Sequence, residues 1–438
     1  MNEIIIIGGG LAGAEAAWQI LKRGGKVRLY EMRPKKFSPA HRSENLAELV
    51  CSNSLKSKSM ENASGLLKEE MKLFGSIVME SAENFAVPAG AALAVDREKF
   101  SLYITEKLLA EPGFELIQQE VTAIPEEGMV IIATGPLTSE ALAKEIERIT
   151  GSDRLYFYDA IAPVVYSESI NLKIAFRQSR YDKGGADYIN CPLSREEYGR
   201  FYNELIRGEV VPYREFEEPK FFEGCLPIEE MARRGKDTLC YGPMKPRGLN
   251  DPRTGREPFA AVQLRQEDLS GGLYGLVGFQ TRLKYPDQER IFRLIPGLEG
   301  AEFARLGSMH RNTYVHSPGL LNPDLSLKTD PRIFFAGQIS GVEGYLESSA
   351  SGIMAGIYAL FRASGKEPPM LPKESAIGAL VNYVSSPRET EFVPMNANWG
   401  IFPAPEERVR KKDRRKYLAD RALRAVKDYL KQLRLSRE

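Results

Sequence analysis

A chain of 438 residues with 43% hydrophobic content can bury a large core and points to about two or three domains. Three histidines, and four cysteines without a C-x-x-C pair, argue against a metal site and a disulfide framework, and a net charge of +1 excludes a uniformly basic or acidic molecule. The apolar opening is only four isoleucines long and has no basic flank, so it reads as a buried strand rather than a signal peptide, and the expected setting is reducing, cytoplasmic and without membrane contact.

The strand Ile4–Ile7 runs into Gly8-Gly9-Gly10-Leu11-Ala12-Gly13, then an amphipathic helix, then a second strand, Lys26–Tyr30, closed by Glu31. Strand, glycines, helix, strand and acid in this register predict a dinucleotide site. Gly8 permits the tight turn, Gly10 lets backbone approach a pyrophosphate at the helix N-terminus, and Gly13 lets helix pack on strand. Glu31 stands where a carboxylate takes both hydroxyls of an adenosine ribose. A helix-like run, Ser43–Val50, then ends at Cys51 and the loop Ser52-Asn53-Ser54. Another buried strand, Met129–Ile132, reaches a small-residue turn at Gly135.

Stretches near 164–176 and 259–283 have strand character, while Gly272, Gly275 and Gly278 lack dinucleotide spacing, so no second dinucleotide domain is expected. Cys225 precedes Pro227-Ile228-Glu229-Glu230, which resembles a helix start. A cysteine there is a candidate nucleophile, because a helix dipole favours thiolate, although the neighbouring acids oppose it. The local pattern leaves a structural role open at both Cys51 and Cys225, and Cys191 and Cys240 read as structural. A late strand, Arg332–Phe335, leads to Gly337, Gln338 and Gly344 and to a helix-like run from Leu346 to Phe361. Finally, Arg408–Arg434 holds twelve Lys or Arg against three Asp, with Leu418, Ala422, Ala425, Tyr429 and Leu433 at helical spacing. That segment predicts a helix docked by its apolar stripe, with Arg408, Arg410, Lys411 and Lys412 facing a polyanion.

The three glycine turns, each following a strand, resemble those of flavoproteins of the glutathione-reductase type, which implies FAD. The fold class expected is α/β: a Rossmann-like FAD-binding domain built from 1–164 and 301–438, interrupted by an inserted α+β substrate or RNA domain at 165–300.

More specific are the two cysteine motifs, Leu49-Val50-Cys51-Ser52-Asn53-Ser54-Leu55-Lys56 and Phe222-Glu223-Gly224-Cys225-Leu226-Pro227, which stand beside Met309-His310-Arg311-Asn312-Thr313 and the flavin-type Phe335-Ala336-Gly337-Gln338-Ile339-Ser340-Gly341. Together with the opening glycines they resemble the folate- and FAD-dependent tRNA (uracil-5-)-methyltransferase family, TrmFO, over almost the whole chain. The resemblance implies formation of 5-methyluridine at position 54 of the tRNA T-loop, with carbon from 5,10-methylenetetrahydrofolate and electrons from reduced FAD. It maps the nucleophile onto Cys225 and the general base onto Cys51. NADH or NADPH is the expected reductant, and no obligatory protein partner is expected. Folate should stack near the flavin, beside His310, Arg311 and Asn312 or against Trp399. Trp399 stands where phenylalanine, and His316 where a small polar residue, is expected in the family. The competing readings are a wobble-uridine carboxymethylaminomethyl-type flavoprotein, a small-molecule flavin oxidoreductase, and an FAD-bearing RNA-binding or redox-sensing protein without methyl transfer.

Overall fold

The computed structural model describes residues 3–151, 155–182, 185–212, 226–388 and 392–435, so Cys225 lies outside the described residues. Four-residue apolar runs buried on both faces form parallel strands, because only a sheet covered on each side can hide them. Here Ile333–Phe335, Met129–Ile132, Ile4–Ile7, Val27–Glu31 and Phe114–Gln118 lie side by side in that order, all parallel.

Behind this sheet the Leu11–Leu21 helix crosses the 19-residue Tyr345–Ala363 helix. Their close approach depends on missing side chains: a Cβ at Gly352 would lie 2.2 Å from the Ala12 carbonyl oxygen, and one at Gly356 2.6 Å from that of Ala16. The last helix, Arg414–Leu435, buries Leu418, Ala419, Ala422, Val426, Tyr429 and Leu433, and Tyr429 meets Phe74 at 6.1 Å between ring centroids. Val426 takes the place expected for Ala425, which is only half-buried. The 3.6-residue period puts 422, 426 and 429 closer to one line than 425, and the larger side chain fills the seam.

A second hydrophobic core draws on residues from Val165 to Ala301. It sits on a six-stranded antiparallel sheet ordered Phe176–Arg177, Tyr188–Leu193, Ala260–Gln266, Leu273–Leu276, Val164–Tyr166 and Phe303–Arg305. The Arg195–Arg207 helix, started by a Ser194–Glu197 capping box, covers it. Between Val164 and Phe176 only the two ends are strand, since Ser167–Ser169 is a tight 3-10 turn. The two bodies are joined by an antiparallel ribbon, Leu155–Ile161 with Ser308–Tyr314, in which Ile161 pairs with Ser308.

Segment 43–50, expected to be helix-like, contains no helix. Ala47 adopts a left-handed φ of 55° and donates its N–H to the Gly9 carbonyl at 2.8 Å. Glu48 meanwhile accepts the N–H groups of Arg42 and Ser43. Those side-chain and long-range bonds replace the helical ladder.

Candidate active site

The strand ends Ile7 and Ile132 open into a cleft of about 980 Å³, with Gly8, Gly10, Leu11, Ala12, Gly135, Gly337 and Gln338 among its walls. Gly10 caps the Leu11–Leu21 helix without a side chain, and the first turn carries no acid, so its N–H groups are left to an anion. Gly8 has φ 105°, while a Cβ at Gly10 or Gly135 would meet nothing within 4 Å. That bare floor fits the pyrophosphate of FAD.

Gly9, Gly13 and Gly344 do not line the cleft. Gly9 donates its N–H to Glu31 Oε2, a Cβ at Gly13 would lie 1.9 Å from the Gly8 carbonyl oxygen, and Gly344 turns the chain at φ 115°. They shape the cleft from behind. Glu31 lies at the cleft edge and accepts from Gly9 N–H, Arg33 N–H and Arg33 Nε. Burial pushes its carboxyl up, but the bonds and charge of Arg33 outweigh that and hold it below the usual range. Three of its roughly four acceptor directions are thus filled from within the chain.

His41, which local sequence did not single out, also lines this cleft. Burial, reinforced by the Arg33 charge, brings its pKa down to about 4, and its Nδ1 lies 2.6 Å from Ser38 Oγ. It is therefore neutral at physiological pH.

Cys51 is half-buried and faces a second pocket of about 500 Å³ between the two bodies. Its Sγ lies 3.7 Å from the Ala160 carbonyl oxygen. Three arginines fix the loop: Arg97 and Arg305 both donate to the Cys51 carbonyl, at 3.1 and 3.2 Å, and Arg265 donates to Ser52 Oγ and Asn53 Oδ1 at 2.8 Å. Among the described residues that wall this pocket, only Glu267, paired with Arg97 at 2.6 Å, balances them. Burial, with Arg97 nearby, brings the Arg305 pKa down to about 10.

Tyr345 connects the two cavities. It lines the dinucleotide cleft, and its hydroxyl oxygen accepts the N–H groups of Cys51 and Ser52 at 2.7 and 3.2 Å. On the opposite wall Gln280, whose carbonyl accepts the Ile228 N–H at 2.7 Å, ties the start of the Ile228–Arg233 helix to the pocket.

The other expected site residues are dispersed. His310 and Asn312 lie on the ribbon: His310 Nε2 is 3.0 Å from Ser308 Oγ and burial brings its pKa down to about 4, and Asn312 is buried with its Nδ2 unpartnered among the described residues. Arg311 is on the same strand, its side chain outside the described residues. Trp399 donates Nε1 to the Glu61 carbonyl and packs on Phe402, lining neither cavity. Arg408, Arg410, Lys411 and Lys412 are exposed ahead of the last helix, and among the described residues no wall of the Cys51 pocket comes from beyond Arg305. Cys191 is fully buried, which pushes its thiol up. Among the described residues no group of His, Cys, Asp or Glu could hold a metal ion, and no helix is long and apolar enough to cross a membrane.

The fold and cleft define a dinucleotide-binding protein carrying a second domain. Residues 3–367 match the family model described as glucose inhibited division protein A. The structure is similar to that of Aquifex aeolicus GidA, with a TM-score of 0.70 at 17% identity, covering 98% of this chain and 76% of that one. In sequence the chain is 57% identical to a Geobacter sulfurreducens protein named methylenetetrahydrofolate--tRNA-(uracil-5-)-methyltransferase TrmFO, covering 98% of this chain and 99% of that protein. A Persephonella marina protein of the same name is 58% identical, with 98% of each chain covered. The chain belongs to the TrmFO family.

Proposed function

We propose that this protein is a methylenetetrahydrofolate-dependent tRNA (uracil-5-)-methyltransferase that oxidises reduced FAD and makes 5-methyluridine in the tRNA T-loop. The observation that carries this reading is the shared wall: Tyr345 borders the dinucleotide cleft with one end and holds the Cys51 loop with the other. A thiol and a dinucleotide site this close suit a reaction that needs both a covalent handle on the base and electrons.

Carbon 5 of uracil is a weak nucleophile. Addition of the Cys225 thiolate to carbon 6 converts the ring to an enolate whose carbon 5 attacks the donated one-carbon unit. Cys51 then takes the proton from carbon 5, the resulting electron pair expels the carrier nitrogen from the transferred carbon to leave an exocyclic methylene, and a hydride equivalent added to that methylene restores the enolate, which expels Cys225. FAD bound in the cleft supplies, when reduced, the electrons that take the transferred carbon to a methyl group. Gly8, Gly10, Leu11, Ala12 and Gly135 would hold its pyrophosphate, Glu31 its ribose, and Gly337 and Gln338 its flavin end. A nicotinamide cofactor, NADH or NADPH, restores the reduced flavin from solution. His310, Arg311 and Asn312 serve the folate.

The base must leave the T-loop to reach a pocket between two bodies. The 165–300 domain supplies most of that pocket's far wall, and Arg408, Arg410, Lys411 and Lys412 hold tRNA phosphates outside it. The enzyme acts in the cytoplasm without an obligatory protein partner.

The test is conversion of unmodified tRNA to 5-methyluridine with methylenetetrahydrofolate and NADH or NADPH, run on the FAD-loaded protein and on Cys225→Ala and Cys51→Ala. Product from the parent and at least a hundredfold less from either folded, flavin-loaded variant, roughly what loss of a nucleophile or base costs, is expected. No product from the parent overturns the reading.

A further inference from the structure

Away from Cys51, a broad groove of about 780 Å³ also runs between the two bodies, with Lys56, Ala91, Arg180, Tyr181, Tyr188 and Gln263 among its walls. Left-handed backbone gathers here. Among the described residues five non-glycines have positive φ, and Lys56 (63°) and Tyr181 (57°) line this groove while Asp182 (51°) adjoins it. A tyrosine held in that region is strained, and such strain persists where the surroundings impose it, often at ligand sites. The Tyr181 side chain does not offset the strain by burial, for the residue is 59% exposed, one side of its ring resting on Gly248.

Arg180 stands beside it. Its Nη2 donates to the Lys245 carbonyl at 2.6 Å, but its buried Nε has no partner among the described residues. Among the described residues no carboxylate pairs with it, and the Asp187 carboxylate accepts the Gly90 N–H at 2.6 Å. A half-buried guanidinium without a carboxylate is an anion site. The groove also starts next to the cofactor cleft: Lys56 Nζ is 2.6 Å from Glu347 Oε1, and Glu347 shares a helical turn with Tyr345 and Ser348, which line that cleft.

We propose that this groove receives the benzoyl-glutamate tail of the folate donor, with its aromatic ring on Tyr181 and its carboxylate on Arg180. The proposal rests on the folate-dependent reading above. The geometry suits an aryl ring followed by a planar carboxylate, which a guanidinium accepts bidentately. An RNA strand calls for a run of cations along its phosphates, whereas of the two cations among the described walls Lys56 is already paired.

The test compares tetrahydrofolate with a tetrahydropterin lacking the tail, titrated into the FAD-loaded protein and into Arg180→Gln and Tyr181→Gly. The parent should bind tetrahydrofolate about tenfold or more tightly than the tailless pterin, and Arg180→Gln should abolish that preference while leaving pterin and tRNA affinities unchanged. Tyr181→Gly should weaken tail binding yet melt at a higher temperature than the parent, because glycine accepts the left-handed conformation; a misfolded variant would not. A tail preference that survives Arg180→Gln, or a loss of tRNA affinity in its place, overturns the proposal. A parent that methylates tRNA but shows no tail preference sinks the groove alone, and one that binds neither folate nor pterin sinks the functional reading with it.

Discussion

Glu343 is buried in the turn that leads from Gly337 to the Tyr345–Ala363 helix, where Gln338 Nε2 donates to its Oε2 at 2.5 Å. Burial, with the nearby Asp159 charge, pushes its pKa up to about 8. The carboxyl is thus protonated when folded and ionised when unfolded across the interval from 4.5 to about 8. Its stabilising contribution is complete below 4.5 and is lost as pH rises through 8, with a slope approaching 1.4 kcal/mol per pH unit inside that window. Thermal melts of the flavin-free protein from pH 5 to 9 should therefore fall with pH, and Glu343→Gln should flatten the fall. An unchanged slope in that variant would refute the assignment. Nothing in the local sequence marks Glu343 as neutral, because that state depends on burial in the fold and on the charge of Asp159, far away in the chain.

At the scale of elements, the two helices behind the parallel sheet touch through backbone. Gly352→Ala would set a methyl against the Ala12 carbonyl, and the crossing would have to open. A loss of about 1–3 kcal/mol is expected, with weaker FAD binding, since the same Leu11–Leu21 helix presents Gly10 to the cleft. Denaturant melts and flavin titration measure both. The strand, glycine turn and helix around Gly8–Gly13 are legible in sequence because their contacts are local or follow from a fixed period. The 43–50 segment is not legible, since its conformation answers to Gly9 and to the Glu48 carboxylate rather than to helix propensity. Arg97, Arg265 and Arg305 look like ordinary surface charges in the chain. They become site residues only because folding brings Arg265 against Ser52 and Asn53, more than two hundred positions away.

At the scale of the molecule, the ribbon that joins the two bodies decides how they can be separated. The chain leaves the first body through Ile161 and comes back through Ser308, and these two residues face each other across one register position. Everything between them could be replaced by a two-residue Asn-Gly turn, which closes a hairpin without moving either strand. Among the described residues no wall of the dinucleotide cleft comes from the removed stretch, whereas most of the Cys51 pocket does. The shortened protein should still take up FAD, read from its visible absorbance, and should form no 5-methyluridine. Colourless protein would show that the cleft depends on the removed part. The ribbon thus makes the second body a detachable cassette, a hairpin loop grown to the size of a domain.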